Sequence, residues 1–138
     1  MTDRPTPTPR GEENIYFEEA RAHRLAFQQC ESCGARVFYP RTVCPVCLSD
    51  RLSLRQAAGT GTVHSFTTLH RAGHPGLADR VPYTVVLVDL DEGVRVLADL
   101  VVSPEADVPW IGMPVQAVFD EVTPELTLPR FQATAGAR

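Results

Sequence analysis

The chain has 138 residues, 43% of them hydrophobic and 22% charged, with a formal net charge of −4. That length accommodates one ordinary domain, or two small ones of which one needs support beyond a core of its own. All 13 basic residues are arginine, which excludes lysine Schiff-base and P-loop chemistry, and no run of about 18 apolar residues suggests a membrane span.

Residues 1–13 carry Pro5, Pro7 and Pro9 between threonines and arginines, too little apolar surface to repay ordering, and read as a flexible tail. Polar and proline-rich, that N-terminus does not read as a signal peptide. From Asn14, a candidate N-cap, the run IYFEEARAHR predicts a short helix reaching about His23, with Phe17, Ala20, Arg21 and Arg24 along one stripe. Ile15, Tyr16 and Phe17 are more bulky apolar surface than one narrow helix face buries, so they are expected to dock on another chain or on the segment that follows.

That segment contains all four cysteines, Cys30, Cys33, Cys44 and Cys47, as two C-x-x-C knuckles ten residues apart. Such spacing places four thiolates at tetrahedral corners about 2.3 Å from one ion, the closed structural geometry of zinc. Iron in the same cage, two reversible disulfides and four unconnected thiols compete with that reading. With four thiolates no coordination position is left for an activated water, so a metal here is structural. Gly34 supplies the positive φ that turns backbone amides toward sulfur, whereas Leu48 stands where the second knuckle calls for a glycine, and a looser turn is expected there. Leu25 to Gln29 reads as a first strand, Val37 to Tyr39 as its hairpin mate, and Leu52 and Leu54 mark a third. Arg36 and Arg41 lie close enough in sequence to offset the excess charge of a zinc tetrathiolate, with plain solvation the blander alternative. The four cysteines fit a reducing cytoplasm. Loss of the ion is expected to melt the ribbon ahead of the rest of the chain.

From Gly59 the pattern changes to five period-2 segments: GTVHSFTTLHR, YTVVLVDL, VRVLADLV, PVQAVFDEV and LTLPRFQA. Asp91-Glu92-Gly93 marks a tight hairpin and Ser103-Pro104-Glu105 a helix start. The fold class is therefore mostly β: a short N-terminal helix plus a rubredoxin-like zinc ribbon over 14–57, then a five-stranded OB-fold barrel over 58–138, with a sandwich as the alternative. The loop at 72–82 is the longest irregular stretch and the natural place for function. His74 and Asp79 lie in it and His64 and His70 on the strand before it, but no cysteine lies nearby and no G-x-S-x-G turn supplies a serine, so no catalytic residue is assigned. Trp110, the single tryptophan, is expected in the core. Residues 1–57 sum to a net charge of +1 and 58–138 to −5, which argues against an unaided nucleic-acid groove on the barrel.

The order RLAFQQCESCGARVFYPRTVCPVC, GTGTVHSFT, VPYTVVLVDLDEGVRVLADL and IGMPVQAVFDE resembles the zinc-ribbon OB-fold acyl-CoA-associated proteins, long catalogued as a domain of unknown function. The likeness covers about residues 14–133. It implies a non-catalytic subunit that scaffolds a thiolase-like enzyme (thiolase, aldolase or condensing) and associates with its acyl-CoA substrate. A nucleic-acid-binding ribbon and OB module is the alternative. Combined with the charge division, the resemblance points to Ile15, Tyr16 and Phe17 as partner contacts, and to Arg71, His74, Arg80, Pro82 and Tyr83 as contacts to acyl-CoA or partner.

Overall fold

The computed structural model describes residues 4–101 and 108–134. One helix, α1 (Glu13–Arg21), precedes a three-stranded antiparallel sheet of order β2-β1-β3, formed by β1 (Ala26–Cys30), β2 (Arg36–Val37) and β3 (Leu52–Gln56). Five further strands, β4 (Thr60–Leu69), β5 (Tyr83–Leu90), β6 (Arg95–Leu100), β7 (Pro114–Thr123) and β8 (Leu126–Ala133), close a barrel of order β4-β5-β6-β8-β7. Each period-2 segment of the sequence became a barrel strand, because alternation sends one set of side chains inward: β5 alternates half-buried and buried residues from Tyr83 to Leu90 without a break. The expected helix start at Ser103 lies outside the described residues.

Two local expectations are corrected. Asn14 lies inside the first helical turn, its side-chain amide donating to the Gly11 carbonyl, and the N-cap is Glu12 without a side-chain capping bond. The helix ends at Arg21, and His23 turns the chain at φ 59° into β1. Trp110 is 37% exposed, beside Val108 and Ile111 at 80% and 61%, so this apolar run lies on the surface instead of in the core.

One hydrophobic cluster serves ribbon and barrel together. Leu25, Phe27 and Ala57 from the ribbon side pack in one group with Val63, Val86, Val88, Val96, Val115 and Phe131 of the barrel, with Tyr16 and Phe38 against its edge. The barrel's β6–β8 seam is short, pairing in parallel only Asp99 with Arg130 and Leu100 with Phe131. Below it, the N–H of Leu97 finds its acceptor in the Tyr39 hydroxyl, 3.3 Å away on the ribbon. Arg36 reaches the same side, donating to the Glu92 carbonyl of the β5–β6 hairpin, while the Glu92 carboxylate accepts from the Ala58 N–H at 2.9 Å. Arg36 thus joins ribbon to barrel. At the other end His23 stacks on Phe119 of β7, centroids 5.1 Å apart, and meets Glu121 at 3.1 Å. Arg4 reaches Asp120 on the same strand at 3.6 Å.

Candidate metal centre and surface sites

The two knuckles repeat one another bond for bond. In the first, the Gly34 N–H donates to the Cys30 carbonyl at 2.9 Å and the Cys30 N–H to the Ala35 carbonyl at 2.8 Å; in the second, Leu48 donates to Cys44 at 2.9 Å and Cys44 to Ser49 at 2.8 Å. Gly34 has φ 77° and Leu48 φ 65°, so the second turn is as tight as the first and a leucine carries the left-handed conformation that glycine takes more cheaply. Ser32 and Ser49 hydroxyls meet across the pair at 2.8 Å. The link between knuckles is pinned by Gln28, whose side chain donates to the Arg41 carbonyl at 3.1 Å and accepts from its N–H at 2.7 Å.

The four sulfurs lie within 4.8 Å of one another. A tetrahedral zinc tetrathiolate with bonds of about 2.3 Å has sulfur-to-sulfur edges of about 3.8 Å. Cys30 to Cys47 measures 3.6 Å and Cys33 to Cys44 3.7 Å, which fits that cage. Sulfurs this close cannot all ionise without a cation among them, and their acidities divide accordingly. Cys30 is held down to about 6, first by the backbone amide of Cys33, and Cys44 is lowered chiefly by that of Cys47. Against the pull of the Ala35 amide, burial and the neighbouring sulfurs push Cys33 up to about 12. Cys47 rises in the same way, against the Ser49 amide. A divalent cation removes that conflict by stabilising all four as thiolates. Donor set, spacing and fold together support one structural zinc.

The remaining sequence-derived residues fall into two places. Tyr16 sits edge-on to Phe17, Phe38 and Tyr39 with centroids 5.1, 5.5 and 5.8 Å away, and burial lifts its phenol well above the usual range. Tyr16 and Phe17 line a cleft of about 390 Å³ with Pro7, Glu13, Tyr39 and Pro40; Ile15 is half-buried beside them. On the barrel, Arg80, Pro82 and Tyr83 line a second cleft of about 180 Å³ with Thr84, Asp99, Leu100 and Arg130. There Asp99 Oδ2 holds both Arg80, at 3.2 Å, and Arg130, at 2.7 Å. His74 is not brought into that cleft: its Nδ1 accepts from the Gly76 N–H at 2.9 Å and caps a short 3-10 helix, Pro75–Leu77. Arg71 is exposed outside the cleft. Asp99 and Arg130 escaped the sequence reading, although an acidic residue in VRVLADLV and a basic one in LTLPRFQA were the available signal. Among the described residues no helix is long and apolar enough to cross a membrane.

Comparison with known proteins follows the same division. Residues 17–53 match the family described as "ChsH2, rubredoxin-like zinc ribbon domain" and residues 54–120 the "ChsH2, C-terminal OB-fold domain". A probable enoyl-CoA hydratase alpha subunit of Thermomonospora curvata is 41% identical over 94% of this chain, but the chain spans only 40% of that relative. A DUF35 domain-containing scaffold protein of Methanothermobacter thermautotrophicus is 33% identical, with 75% of this chain and 77% of the relative covered. Among solved structures, a chain of the "Ltp2-ChsH2(DUF35) aldolase" superposes with a TM-score of 0.80 at 38% identity, over 93% of this chain and 98% of that one. The chain belongs to the ChsH2 family of DUF35 zinc-ribbon OB-fold proteins.

Proposed function

We propose that this chain is a non-catalytic accessory subunit that scaffolds a thiolase-like enzyme and associates with its acyl-CoA substrate. The observation that carries the reading is the end-to-end likeness to a chain of the "Ltp2-ChsH2(DUF35) aldolase", at 38% identity over nearly the whole of both chains. The name of the archaeal scaffold relative supports it. Cys30, Cys33, Cys44 and Cys47 hold the zinc, which rigidifies the platform and takes no part in chemistry, because four thiolates leave no position for substrate. Helix α1 and the ribbon, through Ile15, Tyr16 and Phe17, meet the enzyme. The barrel presents Arg80, Pro82 and Tyr83, and because Asp99 offsets part of the Arg80 charge, the phosphate end of the acyl-CoA falls mainly to the partner. Arg71 and His74 stand beside this surface.

The test is purification of the chain from cells that contain its native neighbours, followed by identification of what comes with it. A stoichiometric enzyme of the thiolase superfamily is expected, together with weak acyl-CoA binding by the chain alone. Co-purifying nucleic acid with a steep salt dependence of binding would overturn the reading. So would thioester cleavage by the chain alone that is lost on His70→Ala or His74→Ala.

A further inference from the structure

The cleft between α1 and the ribbon has a composition that plain apolar docking does not require. Three of its six lining residues are aromatic, two are prolines, and the sixth is Glu13. Phe17 and Tyr39 stand at 88° and 68° to the Tyr16 ring, edge to face, and all three rings line the cleft, an open aromatic box. Glu13 lies one helical turn before Tyr16 and Phe17, on the same face. One of its carboxylate oxygens accepts from the Arg10 N–H at 3.0 Å, which fixes the carboxylate at the rim. Among the described residues no cationic side chain lines the box. The adjoining shallow cleft shares Pro40 and carries one charge of each sign, Glu12 and Arg41.

Ring faces carry negative potential, and a carboxylate beside them adds to it; together they attract a cation that is also apolar on its flanks. We propose that this box takes an arginine or lysine side chain from the surface of the partner enzyme, seated among Tyr16, Phe17 and Tyr39 with Glu13 as its counter-ion. Who supplies the cation rests on the scaffold reading above; the cation preference of the box does not. The surface thereby adds charge selection to an interface that apolar contact alone would leave permissive.

The decisive experiment uses the zinc-loaded full chain and small probes, followed by the aromatic NMR signals of Tyr16, Phe17 and Tyr39. Choline and methylguanidinium are titrated against 3,3-dimethylbutan-1-ol, the uncharged analogue of choline with the same shape. The cations are expected to bind at least about threefold more tightly than the alcohol. Glu13→Gln, an exposed substitution that leaves the fold intact, is expected to weaken the cations about two- to fivefold and the alcohol not at all. Equal binding of the alcohol and the cations overturns the proposal, as does tighter binding of the peptide Pro-Thr-Pro-Thr-Pro, which would make the cleft a proline-rich docking groove. Because the probes need no partner, a failure here leaves the scaffold reading standing, and a failed co-purification leaves the box standing.

Discussion

Replacing Cys44 by serine tests how far the zinc supports structure beyond its own ribbon. Cys44 is fully buried, and without it the ion loses one of four ligands worth together about 10–16 kcal/mol in comparable peptides. The ribbon sheet has strands of five, two and five residues, too little to stand without the metal. Yet Leu25 and Phe27, 2% and 4% exposed, belong to the cluster that fills the barrel. Exposing one leucine and one phenylalanine costs about 1.5–3 kcal/mol each, so melting the ribbon removes about 3–6 kcal/mol from the barrel. A domain of this size has about 5–15 kcal/mol in all. The shared core therefore replaces the expectation of a ribbon that melts first with one of common loss. In a thermal melt followed by the methyl signals of Val86, Val88 and Val96, the variant should unfold about 10–20 °C below the zinc-loaded chain, with ribbon and barrel signals moving together. A barrel transition that stays within about 3 °C of the parent, while the ribbon signals vanish early, would refute the shared-core argument.

Leu48→Gly is expected to be neutral or to stabilise by up to about 1 kcal/mol, because it relieves a left-handed leucine that is 75% exposed, whereas Gly34→Ala at φ 77° should cost about 1–2 kcal/mol; denaturant melts of the two should shift in opposite directions. Gly61→Ala would place a Cβ 2.3 Å from the Asp89 carbonyl oxygen, in backbone that cannot step aside, and should lower the denaturation free energy by about 1–3 kcal/mol. Asp89 is held below the usual carboxylate range, first by its hydrogen bond from Arg95 at 2.7 Å. Its folded pKa is depressed, so the stability it contributes is present above about pH 4 and lost as pH falls through the lower folded value. Its side chain is 41% exposed, which keeps the effect below about 1 kcal/mol; carbon-13 titration of Arg95→Ala should show Asp89 moving back up.

What could be read from the residues alone was what depends on short-range pattern. Alternation located all five barrel strands, since a strand with one buried face must repeat every two residues. Cysteine spacing located the metal cage, since ligand geometry fixes which positions can converge. What escaped reading depends on which residues meet across long sequence separations. Arg36 lies near the cysteines in sequence, and its bond to Glu92, 56 positions later, has no local signal. Arg80 shares Asp99 with Arg130, a contact created by the β6–β8 seam, and no local pattern encodes a parallel pairing of that kind. Trp110 was placed in the core on residue type, but the turn at Gly112, φ 89°, leaves its loop on the surface. Leu48 shows the reverse case: the hydrogen-bond pattern of the knuckle imposed a glycine-like backbone on a residue that does not prefer it.

The Tyr39 hydroxyl that receives the Leu97 N–H has a consequence for solubility. Among the described residues, β6 over Arg95 to Ala98 has β5 on one side and no barrel strand on the other, which leaves a row of backbone donors and acceptors of the kind that recruits a strand from another molecule. Leu97 on that row is 54% exposed, an apolar side chain beside those groups. The ribbon lies where such a strand would have to enter. Seen this way, the zinc guards against self-association: a chain that has lost its ion opens a pairing edge at the same moment that it loses its fold. Aggregates grown under chelation should accordingly be rich in intermolecular β-structure, and a charge placed on that edge by Leu97→Lys should suppress them.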